Sequence, residues 1–184
     1  MIDPYIIRFI DEVVLPRANP LPDVPVELRD GQYESDGWYS WIAKPSSISE
    51  SELDEISGGF GFSFPKLFKD YFLYKEILDG DMGIVRLPKI IANDPLSELR
   101  KEVALYHEFE IFSRVSLVPF AEGANDGGPF CFKIDEPNEE GDFPIYFIDH
   151  ECLNRAGYCG VKQWDSFRSL LQAAESDILS YDAK

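Results

Sequence analysis

A chain of 184 residues with 45% hydrophobic and 14% aromatic content can bury one sizeable core, which excludes a disordered polypeptide. Thirty-four acidic against seventeen basic residues leave a net charge of −17. That balance argues against nucleic acid or an anionic membrane as partner, and leaves a basic protein face, a cation, or simply high solubility.

Asp3-Pro4 is a helix opening, a capping side chain followed by proline at the first helical position. Ile6, Phe9, Ile10, Val13 and Val14 then share one apolar face. Asp3, Arg8, Asp11 and Glu12 interrupt this segment, so no signal-peptide core is expected, and no run reaches the ~18 apolar residues of a membrane span. Pro16, Pro20, Pro22 and Pro25 end the helix and hold the chain extended along the surface. Trp38 to Ala43 reads as a strand, its aromatic pair a binding platform or sheet packing. Ser49 and Glu52 form a capping box for a helix buried through Leu53 and Ile56 and stopped by Gly58-Gly59.

Phe64-Pro65 opens a second helix with Leu67, Phe68, Tyr71, Phe72 and Leu78 on its stripe. Asp79-Gly80 is expected to end it, the glycine in the left-handed conformation. Gly83 to Leu87 is a strand candidate. Asp94-Pro95 opens a helix buried through Leu96, Leu99, Val103 and Tyr106, and a C-terminal helix follows Ser166, packed through Phe167, Leu170, Leu171, Ala174 and Ile178.

The centre of the fold falls at Leu117 to Glu151. SLVPFA is a strand closed by the turn cluster Gly123 to Gly128, while Phe130–Ile134 and Phe143–Ile148 are aromatic and β-branched runs joined by DEPNEEGD. Phe130, Phe132 and Ile134 lie on one face of the first run. Ile145 and Phe147 take one face of the second, and Tyr146 and Ile148 the other. Both faces are apolar, so this hairpin belongs at the middle of a covered sheet. The whole predicts an α+β domain with a mainly antiparallel central sheet flanked by helices.

Chemistry is sparse. The two histidines are His107, on a helix, and His150, within Asp149-His150-Glu151-Cys152. Consecutive residues of an extended chain point to opposite faces and rarely converge on one ion, so neither a metal nor a cofactor is expected. Gly59-Phe60-Gly61 lacks the third glycine of a dinucleotide fingerprint, and there is no G-x-S-x-G elbow or phosphate loop. Cys131, Cys152 and Cys159 form no C-x-x-C pair and leave one over, which predicts reduced thiols in a cytoplasmic protein.

The order of these motifs resembles the SUKH superfamily, which includes the yeast Smi/Knr cell-wall regulators. The resemblance rests on SELDEISGGFGFSFPKLFKDYFLYKEILDG, on LVPFAEGANDGGPFCFKID, on FPIYFIDHE, and on Ser166, Phe167 and Leu170 in the final helix. It departs at Asp79, where asparagine is usual, and Met1 to Asp36 has no counterpart. It divides the chain into an N-terminal helix with a proline-rich extension over 1–37 and a SUKH-like domain over 38–184. It implies a domain without catalytic activity. Many bacterial members are immunity proteins that neutralise a cognate toxin, often a nuclease, and others are regulatory scaffolds; a metal-dependent hydrolase centred on His150 is a third reading. The hairpin tip, Asp135, Glu136, Glu139, Glu140 and Asp142, with Asp126, Asp149 and Glu151 at the sheet end, is expected either to dock a basic protein partner or to serve only as a solubilising loop.

Overall fold

The computed structural model describes residues 1–33, 37–90, 94–123 and 127–182. Its α+β architecture is built on a five-stranded antiparallel sheet of order β3-β4-β5-β6-β7, with a separate two-stranded sheet β1-β2. In chain order the helices are α1 (Pro4–Arg8), α2 (Glu50–Gly58), α3 (Lys66–Tyr74), α4 (Ser97–Glu108), α5 (Glu110–Arg114) and α6 (Phe167–Asp182). The strands are β1 (Arg29–Tyr33), β2 (Tyr39–Trp41), β3 (Val85–Arg86), β4 (Leu117–Gly123), β5 (Pro129–Lys133), β6 (Ile145–Phe147) and β7 (Val161–Trp164).

β5 is the middle strand, as its two apolar faces require. Phe130 and Phe132 pair with Phe147 and Ile145, and enter the larger core with α3 and α6. Cys131 faces the other way, with Ile148 and Leu117, against Ile111 and Phe112 of α5. In β4 the register shifts between Pro119 and Ala121, so Phe120 is an extra residue opposite the Cys131–Phe130 step. Phe120 keeps to the face of Val118 and Phe132, its ring stacked on that of Phe132 at 4.0 Å, and the bulge brings Ala121 into the same core.

α1 starts where Asp3 accepts the Tyr5 amide at 2.8 Å and Pro4 takes the first position. The helix widens into a π-helical turn over Phe9–Val14, and Ile6, Phe9, Ile10, Val13 and Val14 are all buried in the same core as Phe68 and Phe132. Three ion pairs fasten this segment to the body: Arg8 with Glu175, Arg168 with Asp3, and Lys75 with Asp11. The Ser49/Glu52 capping box is present at α2.

Some expectations are corrected. α3 ends at Tyr74, not at Gly80: Lys75 is extended (φ −141°, ψ 155°) and bridges Pro45, and the Glu76 amide donates to Lys44 O at 2.8 Å. Ile77 and Leu78 stay buried beyond the helix, so the apolar pattern outlasts it. Gly80 has no positive φ. It is glycine because a Cβ there would lie 1.9 Å from Leu87 O, where the two backbones cross. The proline-rich stretch also leads into a strand, β1, which pairs with β2. Trp41 is buried and its indole donates to Asn19 O at 3.0 Å, so it packs, while Trp38 remains exposed.

Candidate functional site

The loop after β5 is shaped by two side chains. Asn138 Oδ1 accepts the amides of Glu140 and Asp142, both at 2.9 Å, and Gly141 takes a left-handed turn at φ 74°. Lys133, half-buried, donates to Val115 O at 2.9 Å and pairs with Asp135 at 2.5 Å and Glu136 at 3.8 Å. Asp135 and Glu136 are thereby partly neutralised. Glu139 and Glu140 are exposed and form no ion pair among the described residues.

Asp142 does not belong to the exposed tip. It is 8% exposed and its carboxylate accepts the Phe143 amide at 2.7 Å and the Phe167 amide at 3.0 Å. It thus caps the start of α6 from 25 residues away. Burial pushes its carboxyl upward against the pull of these donors. Asp142→Ala leaves the amides without that acceptor and is expected to lower stability by about 1–2 kcal/mol in chemical denaturation. An unchanged midpoint would contradict this capping role.

Asp149 and Glu151 lie at the other end of the same hairpin. The Ile148 amide donates to Pro129 O and the His150 amide to Gly127 O, which places them beside the start of β5, whereas the tip follows its end. Five residues of strand put roughly 15 Å between the two acidic groups, so they do not form one patch. Asp149 Oδ1 accepts the Glu151 amide at 2.9 Å and starts a short 3₁₀ turn, His150–Cys152. His150 Nδ1 sits 3.1 Å from Gly127 O; a carbonyl only accepts, so Nδ1 carries the proton. His107 stacks on Phe60 at 5.2 Å. Asp126 lies outside the described residues. Among the described residues no group of three His, Cys, Asp or Glu is placed to hold a metal, and no helix is long and apolar enough to cross a membrane. The three cysteines are free, Cys131 buried and Cys159 exposed.

Sequence reasoning missed a cavity beside α4. It measures about 610 Å³ and lies between the Leu21–Pro25 segment, the 78–90 loop, α4 and the end of β4. Leu78, Leu87 and Ile90 form apolar wall, and Glu98, Glu102 and Glu122 line it beside Arg86. Arg86 pairs with Glu122 at 3.4 Å and Lys101 with Glu98 at 2.6 Å. Glu102 Oε2 is buried and has no hydrogen-bond partner among the described residues. Burial, then Glu122 and Glu98, raise its carboxyl to about 7. The legible signals were Glu98 and Glu102 one turn apart beside the Leu99–Val103 stripe, and a lone Glu122 in an apolar strand.

Searches with family models, curated proteins and solved structures find no match to this chain.

Proposed function

We propose that this chain is a non-enzymatic, cytoplasmic protein-binding domain of the SUKH kind, acting as an immunity protein that covers the basic face of a cognate toxin, a nuclease in the first instance. The observation that carries this reading is the β5–β6 tip. Glu139 and Glu140 stand exposed, with no ion pair among the described residues, on a turn held by Asn138, in a chain of net charge −17. A nuclease presents cationic side chains to phosphate, and a pre-shaped acidic loop can occupy them. The unpaired, exposed Cys159 suits a reducing compartment.

The test is expression of the open reading frame beside this one, alone and together with this chain. The reading expects growth arrest by the neighbour alone, relief on co-expression, and a stoichiometric complex on purification. A harmless neighbour, or arrest that this chain does not relieve and no complex, would overturn it and leave the regulatory-scaffold reading.

A further inference from the structure

The 610 Å³ cavity has the size of a small-molecule site, and its wall joins an apolar patch to mainly acidic side chains. Leu78, Leu87 and Ile90, each 7% exposed or less, supply a greasy surface for an alkyl chain. Charge on the lining favours cations: Asp23, Asp79, Glu98, Glu102 and Glu122 against Arg86 and Lys89. Glu122 and Glu98 have cationic partners at 3.4 and 2.6 Å, whereas Glu102 has none among the described residues and its Oε2 is buried with no donor. A buried acceptor left unpaired costs stability that an incoming donor recovers. A metal would need several carboxylates converging, and among the described residues none converge so.

We propose that this cavity binds an aliphatic ammonium or guanidinium group, with its alkyl stem along Leu78, Leu87 and Ile90 and its charge held by Glu102. The group arrives either as a free amine or as a basic side chain of a protein. The site shares its sheet end with Asp149 and Glu151, because Glu122 pairs with Pro129, whose carbonyl accepts from Ile148. It stands apart from the β5–β6 tip, so it does not depend on that loop's partner.

A bound cation favours ionised Glu102, which ties affinity to pH. Glu122 on β4 and Glu98 on its own helix act on Glu102, and Glu102 acts on Cys131 of β5; Arg86 on β3 and Lys89, Asp23 and Asp79 from the surrounding loops line the same cavity. Burial pushes the Cys131 thiol well up, so it stays neutral.

The probe is agmatine, titrated by calorimetry at pH 6 and pH 8 in buffers of different ionisation enthalpy. Expected are one saturable site, affinity about tenfold higher at pH 8, and proton release on binding at pH 6. Glu102→Gln should weaken agmatine tenfold or more and remove the pH dependence. The proton release is measured on the unmodified chain and needs no variant. A blocked tripeptide, acetyl-Gly-Lys-Gly-amide, separates the sources: binding as tight as agmatine assigns a protein side chain, and binding by agmatine alone assigns a free amine. Absence of saturable agmatine binding at pH 8, equal binding by the folded Glu102→Gln variant, or preferential binding of glutarate would overturn the proposal.

Discussion

Phe132→Ala is expected to destabilise the fold by about 3–5 kcal/mol, read as a lower denaturation midpoint with an unchanged slope. Phe132 is fully buried at the junction of three elements. It stacks on Phe120 of the β4 bulge at 4.0 Å, meets Phe68 of α3 edge-on at 5.3 Å and lies 6.3 Å from Phe167 of α6. Truncation removes the burial and leaves a cavity that the sheet and two helices cannot close together. Phe132→Leu keeps most of the volume and should cost less than half as much. A midpoint unchanged in the alanine variant would mean that the hairpin face is inverted.

Glu102→Gln should stabilise the protein at high pH and leave it unaltered at low pH. Burial raises the Glu102 carboxyl from the usual carboxylate range to about 7, so the folded chain holds this proton more tightly than the unfolded chain. Stability therefore falls as pH rises from about 4.5 through 7, and the loss is complete above it. After allowance for the solvent that reaches a partly exposed side chain, the loss is about 2 kcal/mol. Glutamine avoids it. Urea midpoints at pH 5 and pH 8 check this: the variant should match the wild type at pH 5 and exceed it at pH 8. Equal differences at both values would show that Glu102 titrates as an ordinary surface carboxylate.

The middle of this fold was legible because its residues repeat. Phe130 and Phe132 against Cys131, and Ile145 and Phe147 against Tyr146, carry the two-residue period into opposite cores. The i, i+3, i+4 spacing from Ile6 to Val14, across α1 and the π-helical turn, and the Ser49–Glu52 box work the same way, since each depends on neighbours within one or two turns. What escaped depends on partners distant in the chain. β7 is VKQW, exposed along most of its length, and only its pairing with β6 makes it a strand. Gly80 answers to Leu87 across a backbone crossing, not to a helix end. Asp142 reads as one more loop acid until the amide of Phe167 reaches it. The expected site residues that are described separated for a similar reason: Asp149 and Glu151 are near the tip in sequence, but a strand carries them to the far end of the sheet.

The proposal that the acidic tip receives a basic protein face is tested most directly by the association rate. Stopped-flow binding of the neighbouring gene's product to the wild type and to Glu139→Lys/Glu140→Lys, at low and high salt, gives four numbers. Exposed charges act chiefly on encounter, so the double reversal should slow association about tenfold or more at low salt and much less at high salt. Its thermal midpoint should stay unchanged, because exposed loop charges add little to stability. Identical rates at both salt concentrations would contradict the account and reduce the tip to a solubilising loop.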